Sequence, residues 1–295
     1  LSKSDLATGM VTEFTELQGE MGKEYALLDG EKPEVAKAIF EQYMPRFAGD
    51  ILPQQEISRA LSLADKLDNL AATFLRGLIP TGSQDPFALR RQTIGAVNIL
   101  TDGKIHWDIR RGIEAALALL PGDEETKKTV LSQIEDFFRQ RIKAIMLDEG
   151  IAYDIIDAVL AGPVDDIYAL FLKARSMAES QLKDEAELRQ AVTRLANITK
   201  GKTGGKVDPS LFTEDVEKKL QDAFEAVSAK ALPLFASYEY GKALPALKEL
   251  TAPINDYLDN VMVMVDDEAV KNNRISQLLA TLALFNTWGD FSKLV

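Results

Sequence analysis

The sequence predicts an all-α protein, and three observations carry that prediction. Apolar residues recur at three- and four-residue intervals from end to end, as in "ALSLADKLDNLAATF" at 60–74, with almost no sustained alternation of the strand type. Turn clusters punctuate this periodicity at helix-length intervals: "DGEKPE" at 29–34, "PTGSQDPF" at 80–87 and "PGDEET" at 121–126. Hydrophobic residues make up 46% and charged residues 27%, the balance of a chain that folds rather than one that stays disordered.

The first helix is expected over 3–28, where "EFTELQGEMG" (13–22) sets Phe14, Leu17 and Met21 on one side and places Gly19 and Gly22 inside the run. A glycine within a helix costs ~1 kcal/mol relative to alanine, so something there needs the missing side chains: another backbone, a ligand or a bend. Pro33 opens the next helix, 33–43, as a first-turn residue. Helices at 55–79, 86–101 and 107–120 follow, and a long one at 123–148 has acids in its first turn, where the helix dipole favours them. Beyond it the expected helices are 151–161, 164–179, 183–200, 213–236, 240–262 and 267–291.

At 295 residues the chain is long enough for two domains, each with its own core. "DEG" at 148–150 ends the long helix, and the boundary is set there, giving domains 1–150 and 151–295. "GKTGGKVDPS" at 201–210 reads as the one really flexible stretch, a long hairpin loop within the second domain. No internal repeat or low-complexity tract is visible.

The absence of cysteine excludes disulfides, thiolate catalysis and Cys-ligated metal, and a single histidine, His106, removes most other nucleophilic relays. In "KIHWD" that histidine reads more simply as packing or surface than as catalysis. No apolar run approaches the ~20 residues of a bilayer-spanning helix and no secretory leader is visible, so the expectation is a cytoplasmic protein without a membrane partner. A net charge of −12 argues against non-specific wrapping of nucleic acid but leaves room for a local basic patch.

Such a patch is visible. From Leu188 to Lys206 there are five basic residues, Arg189, Arg194, Lys200, Lys202 and Lys206, and no acid. "KNNR" at 271–274 adds Lys271, Asn272, Asn273 and Arg274. Both suit a polyanion surface, and both are equally readable as solvated faces. "GKTGGK" at 201–206 superficially matches a phosphate-binding loop, but that loop follows a buried strand and opens a helix, whereas here a helix precedes it. Asp65 and Asp68, three apart, share a helix face; two carboxylates are weak grounds for a metal, and most such pairs face solvent.

Longer strings are more specific. "FTELQGEMGKEYA" (14–26), "AGDILP" (48–53), "ALSLADKLDNL" (60–70), "PTGSQDPFALRRQTIGAVNIL" (80–100), "RLANI" (194–198) and "VMVMVDDEAVKNNRISQLLATLALFNTWGDFSKL" (261–294) occur in the order found in the β subunit of bacterial glycyl-tRNA synthetase, which the chain resembles nearly from end to end. The resemblance implies an assembly of two α and two β subunits that joins glycine to its tRNA at the expense of ATP. The α subunit carries the aminoacylation site and binds ATP and Mg, and the β subunit binds tRNA(Gly). That β subunit is much longer than 295 residues, so the chain resembles its carboxy-terminal part: an HD-like helical domain, then a helical-bundle anticodon-binding domain like that of class I synthetases. No cofactor is expected in this portion, and no DNA partner.

The resemblance also places residues. "TELQGEMG" occupies the place of the His-Asp pair of a working HD domain and "ADKLD" that of its later aspartate, which leaves Asp65 as the one surviving metal-site residue. With no histidine nearby, the domain is expected to be catalytically silent and without metal. Gly19 and Gly22 then read as close-packing positions. In the second domain the implied tRNA-binding residues are Arg189, Arg194, Asn197, Lys200, Lys202, Lys206, Lys271, Asn273 and Arg274, with Arg194 equally readable as a tie between helices. Tyr238 and Tyr240 are possible stacking platforms for splayed bases. Two other functions compete: a protein-interaction scaffold docking α or β subunits, and an active HD-type metal phosphohydrolase resting on Asp65.

Overall fold

The computed structural model describes residues 2–294, and among them it holds fourteen α-helices, several 3₁₀ turns and no strand beyond two isolated bridges. The fold is all-α, as the periodicity predicts. It divides into two compact units: one runs to Ile145 and includes Val164–Tyr168, and the other takes Met146–Pro163 and the described residues from Ala169 onward.

In the first unit the expected helix 3–28 is not continuous. A 3₁₀ turn at Ser4–Ala7 leads into α1 (Gly9–Glu13), a second 3₁₀ turn at Thr15–Leu17 and then α2 (Glu20–Leu28). The cause is local. The buried Asp5 carboxylate accepts the Gly19 N–H at 2.7 Å, and Gly19, at φ +82°, turns the chain into α2 from its N-cap. Gly19 therefore sits outside a helix, while Gly22 lies within α2. Both are tightly approached: a Cβ on Gly19 would fall 2.8 Å from the Tyr43 ring, and one on Gly22 would fall 2.8 Å from Ile39. The second contact lets α2 lie against α3 (Pro33–Glu41), which Pro33 begins.

Next, α4 (Glu56–Leu75) buries Leu63, Leu67, Leu70, Ala71 and Phe74 against α3 and its later neighbours, with Ser62 and Lys66 in the same stripe. α5 (Leu89–Asp102) starts later than Pro86 suggests, because Asp85 accepts the Leu89 and Arg90 N–H groups at 2.8 and 3.0 Å and so caps the first turn there. α6 (Ile109–Ala118) is capped by Asp108. α7 (Glu124–Asp148) brings Ile134, Phe138 and Ile142, all fully buried, into the core. The segment 164–168 joins this unit: Asp165 C=O accepts the Ile109 N–H at 3.0 Å, and Asp166 meets His106 Nδ1 at 2.8 Å. The lone histidine thus sits in a tertiary contact, its ring 4.9 Å from that of Tyr168.

The second unit holds α8 (Tyr153–Val159), most of α9 (Ile167–Glu179), α10 (Ala186–Thr199), α11 (Asp215–Ala236), α12 (Leu244–Lys248), α13 (Thr251–Asn260) and α14 (Glu268–Asn286). The expected single helix over 240–262 is broken into a 3₁₀ turn at Tyr240–Ala243, α12 and α13. Pro245 and Pro253 cannot donate to a preceding turn, so the helix restarts near each of them. α10 packs against α13 and α14, and α11 against α13. Leu195, Leu220, Ile254, Leu278 and Phe285 are fully buried between them. Trp288, also fully buried, donates its indole N–H to Ser176 Oγ at 3.0 Å. No helix among the described residues is long and apolar enough to cross a membrane.

Candidate nucleic-acid interface

The basic segment occupies α10 and the loop after it. α10 buries Leu188, Ala191, Val192, Leu195 and Thr199, which turns its polar positions outward. Asn197 is exposed on that outer face, and Lys200, Lys202 and Lys206 are exposed beyond the helix end. Gly201 takes φ +70°, letting the chain leave the helix there.

The loop is held rather than loose, which corrects the expectation of a flexible hairpin. Ser276 Oγ accepts the Gly205 N–H at 2.9 Å. Asn273 grips Asp208 from both sides, its Oδ1 taking the Asp208 N–H at 2.7 Å and its Nδ2 donating to the Asp208 C=O at 3.0 Å. A Cβ on Gly204 would meet Leu279 at 3.0 Å. Gly204, one of the glycines that suggest flexibility in the sequence, serves the loop's close approach to α14.

Asn273 is thus 4% exposed and committed to the loop, so it is corrected as a tRNA contact. Arg274 is corrected likewise. It is 5% exposed and ties Glu217, itself fully buried, at 3.0 Å, while donating to the Met262 C=O at 2.8 Å and the Thr213 hydroxyl at 2.6 Å. Burial alone pushes the Glu217 carboxyl upward, but the Arg274 guanidinium and the N–H groups of Thr213 and Glu214 outweigh it and hold it below the ordinary value. The hydrogen bond to Glu217 holds Arg274 above the ordinary arginine value, against the opposing effect of burial. Tyr257 beside them is buried with its hydroxyl unpartnered, and burial raises it well above an ordinary tyrosine.

The remaining expected contacts divide. Arg194 reaches Asn255 at 3.0 Å and pairs with Asp259, joining α10 to α13; the alternative reading as an inter-helix tie is the one its geometry supports. Arg189 is half-buried, donating to the Lys183 C=O at 3.2 Å, with its Nε sealed and unpartnered. Lys271 pairs with Glu268 one turn earlier. Tyr240 is 4% exposed and packs on Phe235, so it offers no open face for stacking, whereas Tyr238 is 37% exposed. What stays outward and basic is the group Lys200, Lys202 and Lys206, with Asn197 beside it.

In the first unit, Asp65 forms an ion pair with Lys3. Among the described residues no three His, Cys, Asp or Glu side chains gather closely enough to hold a metal. Sequence reasoning missed the polar environment beside Asp65. Lys66 is 3% exposed, its ammonium donating to Met44 C=O at 2.8 Å, Ser62 Oγ at 2.6 Å and Gln42 C=O at 3.3 Å. The signal lay in the spacing: position 66 falls three after Leu63 and four before Leu70, in the buried stripe of α4.

Comparison with known proteins supplies the context for both units. Residues 1–161 match the family model for the glycyl-tRNA synthetase beta subunit, and residues 188–289 match the DALR anticodon binding domain. The glycine–tRNA ligase beta subunit of Clostridioides difficile (strain 630) is 45% identical over 296 residues, covering 100% of this chain and 43% of its own length. The beta subunits of Desulforamulus reducens and Shouchella clausii are 42% and 40% identical over the whole of this chain, again over 43% of their own lengths. The chain therefore spans less than half of the curated relatives it matches. It belongs to the glycyl-tRNA synthetase beta subunit family.

Proposed function

We propose that the chain is the tRNA-binding portion of a glycine–tRNA ligase beta subunit, and that its second unit recognises tRNA(Gly) near the anticodon. The observation that carries this reading is the outward group Lys200, Lys202 and Lys206, at the end of a stretch, 188–206, that holds no acid, on a loop tied to α14 within the region matching the anticodon binding domain. Lysines on a held loop meet phosphates without first ordering the chain, so less entropy is lost on binding.

In this reading glycylation takes place at an α subunit that binds ATP and Mg, in a cytoplasmic assembly of two α and two β chains. The first unit is a degenerate HD-like domain without catalytic activity. In favour of that silence, the Asp65 carboxylate is engaged by the Lys3 ammonium. The acidic balance of the chain, −12 overall, favours a second reading as a scaffold for other subunits.

Titration with tRNA(Gly), and with the same tRNA carrying a substituted anticodon, across a salt series separates the two. The proposal expects tighter cognate binding, and a salt slope that falls by about 2–3 when the three lysines become alanine, at ~0.7–0.9 per phosphate contact. Equal, lysine-independent binding of both tRNAs at low salt, with intact subunit assembly, would establish the scaffold instead.

A further inference from the structure

Below α4 the first unit contains a cavity of about 580 Å³ whose wall is unusual for so acidic a chain. Lys3, Arg46, Lys66 and Arg91 line it against only two acids, Glu16 and Asp65. Asp65 is engaged by Lys3, and Arg46 is paired at 3.0 Å with Asp50. Lys66 and Arg91 form no ion pair among the described residues; the ammonium rests on three neutral oxygens and the guanidinium makes one hydrogen bond, at 2.8 Å, to the Arg46 C=O. Two cations have thus converged on one short stretch of chain, 42–46, outside any ion pair; the Asp65 carboxylate, already engaged by Lys3, offsets the Lys66 charge only through its field. A buried charge without a counter-ion is costly, and an anion from solution removes that cost.

The chemistry of the wall narrows the ligand. All three Lys66 protons are engaged, so Lys66 contributes field rather than contacts, while Arg91, exposed and with four of its five donors uncommitted, supplies the planar fork that suits a phosphate. Tyr43 and Phe47 line the same cavity, and Phe47 is 57% exposed, held beneath the Arg46 guanidinium at 5.8 Å. An aromatic face beside a cationic pocket suits a base joined to a phosphate, and the volume is within the ~300–1,000 Å³ typical of small-ligand sites. We propose that this cavity is a metal-independent receptor for a nucleoside phosphate, with the phosphate on Arg91 in the field of Lys66 and the base against Phe47. The inference is independent of the tRNA reading of the second unit.

The test is calorimetric titration of the intact beta subunit, without added metal, using 5′-AMP, inorganic phosphate, adenosine and a 5′-phosphorylated RNA oligonucleotide. The expected result is binding of AMP, weaker binding of phosphate and none of adenosine. Arg91→Ala should weaken AMP and phosphate roughly tenfold or more, the loss of a charge-assisted hydrogen bond. Lys66→Met should weaken both, and Phe47→Ala should weaken AMP several-fold while sparing phosphate. Arg91 and Phe47 are exposed, so these variants carry the test even if Lys66→Met does not fold. If the oligonucleotide binds with the same Arg91 dependence and AMP does not, the phosphate is supplied by an RNA end. Absence of binding by AMP, phosphate and oligonucleotide alike overturns the proposal, as does binding indifferent to Arg91→Ala.

Discussion

Lys66 in the first unit and Arg274 in the second are both nearly sealed from water, at 3% and 5% exposure, and the two units accommodate the charge in opposite ways. Arg274 faces a buried carboxylate, Glu217, and spends its remaining donors on Met262 C=O and the Thr213 hydroxyl. Lys66 donates only to neutral oxygens, and burial depresses it to about 8 from the ordinary lysine value, against the smaller opposing pull of Asp65. A neutralised pair locks the helices that carry it, here α11 and α14. An unneutralised cation leaves a positive field in the cavity beside it, which is a feature a ligand can use.

The sharpest way to break the comparison is to remove one partner of the neutralised pair. Glu217→Ala strands the Arg274 charge in the core and is expected to cost about 3–5 kcal/mol in denaturant unfolding, whereas a paired Glu217→Gln, Arg274→Met exchange recovers a large part of that loss. A Glu217→Ala protein as stable as the parent would mean that Arg274 reaches water and that the lock does not exist.

Next in size is the response to pH. Because the folded-state value of Lys66 lies below its unfolded one, the unfolded chain binds the extra proton between about pH 8 and 10.5, so stability rises with pH across that window. From pH 8 to 9 this amounts to about 1 kcal/mol by linkage. Lys66→Met should abolish the rise. Tyr43, which burial pushes up to about 12, opposes it above pH 10, since the unfolded tyrosine ionises first. An equally steep rise in the Lys66→Met protein would place the titrating group elsewhere.

The loop contacts give smaller effects. Asn273→Ala removes both bonds to Asp208 and should cost about 1–2 kcal/mol. Its clearer readout is faster amide exchange at Asp208 and Gly205, together with weaker tRNA binding at an unchanged salt slope. Smallest of all, replacing Lys200, Lys202 and Lys206 by alanine should leave stability within about 0.5 kcal/mol while lowering that slope. The two loop variants thus separate presentation of the basic surface from the surface itself.

The legible parts of the sequence were those governed by local physics. Apolar spacing announced most helices, and Pro33 and the acids at 123–125 marked starts that the structure places within a residue or two. Boundaries went astray where a distant group intervened: Asp5 reaches fourteen residues ahead to cap Gly19, and no local pattern shows that. The candidate site was legible as charge and illegible as direction. Five basic residues without an acid mark 188–206 as a basic stretch, yet Arg194 turned to Asp259, and Asn273 and Arg274, polar in the sequence, turned inward.

By itself, then, the sequence determined the helical class, the family through long ordered strings, and where positive charge gathers in an acidic chain. These follow from periodicity, punctuation and composition, which are properties of neighbours along the chain. Only the tertiary structure decided which cations face solvent, which are neutralised and which are buried without a counter-ion. Those outcomes depend on groups tens of residues apart, as with Arg274 and Glu217, and on how far each charge is removed from water, which no single segment controls.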